Sequence, residues 1–197
     1  MWLLISLFIV SSVYTSSFIC EPLNNMTSPR LMQNKKGLNL AHVNGCSLRN
    51  KVVDLECLLS NNNVHLIGIS ETHLDANIRD GELQIPNYDI IRLNRNNRGG
   101  GVAFYIRNHI PYKVRSDLTM DGVEMLWIQV HLPFSKPILA AVLYRPPGSN
   151  RAYFDSLLMC IGKASRENLE MCVLGDFNID WNVASPMKED LLNCATG

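Results

Sequence analysis

Three short apolar runs in this chain stop at a polar residue able to bind metal, water or phosphate, and that pattern narrows the folds open to it. "LNLAHVN" (38–44) ends at Asn44, "VHLIGIS" (64–70) runs into Glu71, and "EMCVLGD" (170–176) ends at Asp176. Runs of this length and apolarity read as strands buried on both faces, as in sheets covered by helices. In such sheets the polar residues at the C-terminal strand ends converge on one rim. One strand ending in an acid reads as a solvated turn or a helix cap. Three in one chain point to a shared site.

The segments between these runs fit the same architecture. After Ser47, a candidate cap, Leu48, Val52, Leu55 and Leu59 recur at helical spacing. In "RAYFDSLLMCIGKAS", Phe154, Leu157, Leu158 and Ile161 share one helical face. "YDIIRLN", "GGVAFYIR", "YKVRSDL", "MLWIQVHL" and "PILAAVLYR" read as a meander of strands broken by Gly, Pro and Asn. The reading is an α/β layered fold with mixed sheets. Apolar residues at 47% and charged residues at 18% exclude a disordered chain.

Lysine plus arginine and aspartate plus glutamate are both 18, so net charge exerts no global pull toward nucleic acid. A local pull is open. Between residues 90 and 116 lie Arg92, Arg95, Arg98, Arg107, Lys113 and Arg115 and no acid, a run that suits phosphate contacts or a solvated face. "RGGG" (98–101) lacks the Lys-Ser/Thr of a nucleotide-binding loop and reads as a turn into a strand.

The first residues differ from the rest. Residues 1–20, containing "MWLLISLFIV", read as a signal-peptide-like apolar leader, and residues 21–36 as a polar linker before a domain spanning 37–197. Asn25-Met26-Thr27 is a glycosylation sequon, relevant only to a secreted chain. None of the six cysteines forms a CxxC pair, which argues against zinc. Cys46, Cys57, Cys160 and Cys172 are expected as buried free thiols.

The motifs "HVNGCSLRNK", "ISETHLD", "RGGGVAFYIR", "LYRPPGS" and "LGDFNID", in this order, resemble the endonuclease/exonuclease/phosphatase superfamily over about residues 37–182. Within it the sequence is most similar to the endonuclease domain of non-LTR (LINE-type) retrotransposons. The resemblance implies a four-layer α/β sandwich of two mixed β-sheets flanked by helices. It also implies Mg²⁺-dependent (or Mn²⁺-dependent) hydrolysis of a DNA phosphodiester with no small-molecule cofactor. Under the resemblance Glu71 is the principal metal ligand, and Asn44 helps position metal or phosphate. Asp176 orients or deprotonates the attacking water, Asn178 holds the phosphate, and Tyr144 contacts it. Arg145 and Arg98 are candidate substrate-binding residues, with a surface salt bridge the alternative for Arg145.

The family pattern continues to a Ser-Asp-His element on a later strand. The tail "VASPMKEDLLNCATG" contains no histidine. The expectation is a C-terminally truncated domain with impaired catalysis, an incomplete second sheet with an exposed edge, and room for a partner supplying strands. Two alternatives stand beside it: a non-catalytic retroelement remnant that binds DNA or metal, and a secreted nuclease or phosphoesterase of the same superfamily. The leader suggests secretion or membrane association, and the resemblance suggests a nuclear location.

Overall fold

The computed structural model describes residues 9–10, 20–22, 37–95, 99–180 and 182–196. The rest of the leader and linker, with the sequon, lies outside the described residues. In chain order the strands are β1 (Ile9–Val10), β2 (Cys20–Pro22), β3 (Leu40–Asn44), β4 (Leu66–Ser70), β5 (Tyr88–Leu93), β6 (Val102–Arg107), β7 (Tyr112–Val114), β8 (Met125–Val130), β9 (Ile138–Tyr144) and β10 (Glu170–Asp176). The helices are α1 (Val52–Asn61), α2 (Arg151–Ser165) and α3 (Pro186–Thr196). Among the described residues no helix is long and apolar enough to cross a membrane.

Two five-stranded mixed sheets form, ordered β1-β10-β9-β8-β7 and β2-β3-β4-β6-β5. The strands expected as one meander are divided between them. β5 and β6 pair antiparallel in one sheet, while β7, β8 and β9 run antiparallel in the other. β3 runs parallel to β4, and β9 parallel to β10. These two parallel pairs bring four strand ends to one rim.

Side-chain alternation separates three apolar layers. Leu40, Leu66, Phe104, Ile128, Val142 and Leu174 fill the space between the sheets. Ala41, Val43, Ile67 and Ile69 point outward to Leu48, Leu55 and Leu59 around α1. Leu139, Ala141, Leu143 and Val173 point the other way, onto Phe154, Leu157, Cys160 and Ile161 of α2. Burying each large side chain of that α2 face contributes about 1.5–3 kcal/mol. The arrangement is the expected sandwich of two sheets with helices outside.

Local signals explain the helix ends, with one correction. Asn150 caps α2, its side chain accepting a hydrogen bond from the Tyr153 N–H at 2.9 Å. Ser47 does not cap. Its φ is +79°, it makes no side-chain cap bond, and a 3₁₀ turn (Leu48–Lys51) leads into α1. The tail forms α3, opened by proline at a position where a missing N–H costs nothing, and it buries Leu191 against the α2 layer.

The thiols differ in part from expectation. Cys160 and Cys172 are buried, but Cys46 and Cys57 are exposed, since each lies beyond an apolar face rather than on it; all four are free. The open edge expected at the second sheet is paired over two residues, with β1 placing Ile9 and Val10 opposite Val173 and Cys172 of β10.

Candidate active site

The four strand ends place their polar residues in register. On β9 and β10, Tyr144 lies directly beside Asp176. On β3 and β4, Asn44 lies beside Ser70, and Glu71 follows. Asn44 shares the inward face of β3 with Leu40, and Asp176 shares that of β10 with Cys172 and Leu174. The two pairs therefore meet across the sandwich. The structure brings together Asn44, Glu71, Tyr144 and Asp176.

Asn44 joins the two acids. Its Nδ2 donates to Glu71 Oε1 at 2.9 Å and reaches Asp176 Oδ2 at 3.4 Å. Its Oδ1 accepts from the Cys46 N–H and S–H, both at 3.0 Å, which fixes which end of the amide faces the carboxylates. Cys46 is exposed as a residue, but its Sγ is turned in against Asn44. That partial burial and the nearby Glu71 charge push the thiol up, so it stays an S–H donor. Sequence reasoning assigned Cys46 no such role, because a lone cysteine after a strand carries no readable signal.

Asp176 is buried and aimed. Its Oδ1 accepts from the Asn178 N–H at 3.0 Å. Burial raises its pKa above the usual aspartate range, Glu71 adds to the rise, and the bonds from Asn178 and Asn44 oppose it. Gly175 precedes it with φ +148°. A Cβ there would overlap the Leu143 carbonyl of β9, so only glycine lets β10 approach closely enough to set Asp176 in register.

Burial, Glu71 and Asp176 also hold the Tyr144 phenol well above its ordinary value, leaving it a neutral O–H donor. Glu71 has φ +52°, and its carboxylate retains 22% exposure. His73, on the same loop at φ +51°, brings Nε2 to 3.5 Å from Glu71 Oε2. Cys46, Ser47, Glu71, His73 and Asn178 all carry positive φ at this rim. Such conformations cost about 1–3 kcal/mol each and collect where neighbouring structure over-determines them.

Here that structure is a backbone ladder beyond the strand ends. Ser47 N–H and Leu48 N–H donate to the carbonyls of Glu71 and Thr72, and Thr72 N–H and His73 N–H donate to those of Gly101 and Gly100. The Gly100–Gly101 turn thus serves the site, and it also holds Glu124. The Gly101 N–H donates to Glu124 Oε2 at 2.5 Å, and Arg95 Nη1 lies 2.7 Å from Glu124 Oε1. No feature of the sequence marked Glu124, a single acid ahead of a strand.

The remaining expected residues stand apart. Asn178 is exposed, and its Nδ2 donates to the Arg145 carbonyl at 2.6 Å. Arg145 is turned inward, 4% exposed, and among the described residues it forms no salt bridge. Its Nη1 donates to the carbonyls of Phe177 and Asn178 at 3.1 and 3.0 Å, and Nη2 to that of Ser149 at 3.2 Å. The guanidinium ties the two loops beneath Asn178 together because those carbonyls have no strand partner. Arg98 lies outside the described residues.

No protein-family model matches the sequence, and no curated protein does. Solved structures do match the fold. A 3' phosphatase from Neisseria, bound to a product DNA hairpin, aligns with a TM-score of 0.59 at 17% identity over 79% of this chain and 70% of that one. The endonuclease domain of TRAS1, a telomere-specific non-LTR retrotransposon, aligns with a TM-score of 0.56 at 13% identity over 79% and 67%. An AP endonuclease from Archaeoglobus fulgidus gives 0.56 at 16% identity over 81% and 68%. Two packed mixed sheets with helices on both outer faces thus give this chain the fold of these solved phosphatase and endonuclease structures.

Proposed function

We propose that this rim hydrolyses a phosphodiester of DNA with a divalent cation, Mg²⁺ first among them. The observation that carries the reading is the pair of carboxylates, Glu71 and Asp176, brought from opposite sheets and bridged by one amide. DNA-processing enzymes among the structures of like fold support DNA as the substrate.

The residues fit such a cation. Asp176 is raised in part by an adjacent carboxylate, so the site carries negative charge that a cation would neutralise. Among the described residues no three His, Cys, Asp or Glu side chains form a metal cage. Mg²⁺ does not need one, because it keeps several waters and takes one or two carboxylates. Glu71, the more exposed acid, would hold it with Asn44 steadying the carboxylate. When bound, the ion would offset charge on the phosphate and on the leaving oxygen.

The chain's own groups supply the rest. Asp176 Oδ2 accepts a proton from, or orients, the attacking water, and its raised pKa brings it nearer the neutral range where a base is most effective. Tyr144 donates its phenolic O–H to a non-bridging phosphate oxygen. The second amide hydrogen of Asn178 donates to another.

The test is nicking of supercoiled plasmid by the full chain, with Mg²⁺ and with chelator. Metal-dependent nicking that disappears in both Glu71→Ala and Asp176→Ala establishes the reading. Nicking that survives both variants refutes it. Metal-dependent DNA binding without nicking identifies a binding module instead.

A further inference from the structure

The basic run between residues 90 and 116 is dispersed by the fold, and the fates of its described members, all but Arg98, can be read. Arg92 is spent on Asp80 and on the carbonyls of Asp75 and Ile78. Arg107 stacks over the Tyr88 ring at 4.9 Å and donates Nε to the Val64 carbonyl. Arg115 is buried between Asp117 and Glu167. Lys113 lies on β7, an edge strand at the other side of its sheet from β10.

Among the described members of the run, Arg95 is the one at the rim. Its side chain is 40% exposed while its Glu124 partner is only 10% exposed. Glu124 in turn connects to Tyr144 twice. The Tyr144 N–H donates to the Glu124 carbonyl at 2.9 Å, and the Tyr153 hydroxyl, accepting from the Glu124 N–H at 3.0 Å, donates to the Tyr144 carbonyl at 3.2 Å. Of the charges acting on the Tyr144 phenol, Arg95 is the cation that opposes Glu71 and Asp176.

We propose that Arg95, anchored on buried Glu124 across the Gly100–Gly101 turn, is a phosphate contact on the Tyr144 side of the site, holding a DNA backbone phosphate next to the one being cleaved. The inference rests on the phosphodiester reading above. One edge of the guanidinium is fixed by Glu124, so the plane is set before substrate arrives and little side-chain freedom is lost on binding. The turn enforces the placement. Gly100 and Gly101 have φ +68° and +82°, and a Cβ on Gly100 would meet both the Glu124 carboxylate and the Arg95 guanidinium. A side chain there would push the pair apart.

The test is the salt dependence of binding to a short DNA duplex by the full chain carrying Asp176→Asn, which prevents turnover. Arg95→Ala is expected to lower the slope of log K against log salt by about one and weaken binding roughly tenfold at low salt. Arg95→Lys should keep most of the slope. Because Arg95→Ala leaves Glu124 buried and unpaired, the double variant Arg95→Ala/Glu124→Gln is measured beside it, and the slope should fall there as well. A folded double variant with the parent's slope overturns the proposal while leaving the phosphodiester reading intact. A parent that does not bind DNA overturns both.

Discussion

Asn44 and Asp176 are 132 residues apart and belong to different sheets, yet the Asn44 amide reaches the Asp176 carboxylate at 3.4 Å while donating to Glu71 at 2.9 Å. One neutral donor therefore separates two acids that repel each other. That bond also restrains the rise in the Asp176 pKa. Asn44→Ala should push Asp176 further up, move the acid limb of the kcat/KM–pH profile to higher pH, and lower kcat/KM roughly tenfold or more. An unmoved acid limb would show that Asp176 is not the titrating base.

Asp176→Asn should separate activity from stability. A carboxyl raised in the folded state contributes stability below the ordinary aspartate pKa, and that contribution is lost as pH rises through the folded value. At neutral pH without metal the ionised Asp176 is thus a cost, and the amide removes it. Nicking should fall by about 10²–10⁴-fold while the thermal midpoint rises at pH 7 and not at pH 3. A lowered midpoint at pH 7 would contradict the electrostatic account.

His42 sits 1% exposed between the sheets, with Nε2 3.2 Å from Ser70 Oγ. Burial lowers its pKa to about 3. The folded state resists the proton that the unfolded chain takes up below about 6.5, so the stability contributed by neutral His42 is present above that pH and declines as pH falls toward 3. The loss should approach about 1.4 kcal/mol per pH unit below 6.5, or about 2 kcal/mol at pH 5. Denaturation of the native chain and of His42→Gln at pH 7 and pH 5 should show a shallower decline in the variant.

Arg145 spreads its donors over three carbonyls, a task a single ammonium cannot perform. Arg145→Lys should lower stability by about 2–3 kcal/mol, a drop of roughly 5 °C or more in Tm. A residue serving phosphate alone would keep its charge as lysine with no change in melting.

Gly175→Ala should be among the most damaging single changes. The added Cβ overlaps the Leu143 carbonyl and lies 2.9 Å from Leu143 Cγ, at a φ of +148° that L-residues rarely adopt. The expected cost is about 3 kcal/mol or more, read by chemical denaturation, since β9 and β10 must part to admit the methyl.

Much of this was written in the chain itself. The apolar runs ending at Asn44, Glu71 and Asp176 became the strand ends of the rim, and the α2 face carrying Phe154, Leu157 and Ile161 packs as its spacing requires. Local chemistry decides such features: strand runs, helical periodicity, an Asn cap. The helix α3 was not read from the sequence; its start is held by the Lys188 N–H donating to Ser185 Oγ at 3.3 Å. The division of five meander strands between two sheets was not legible, because strands apolar on both faces look alike whichever sheet takes them. Nor could the sequence assign the arginines. Arg145 turned inward and Arg95 to the rim because each followed acceptors fixed by distant chain, the Phe177 and Asn178 carbonyls for one and Glu124 for the other. Residue type and spacing determine which groups can do chemistry here; only the packing of the two sheets decided which of them meet.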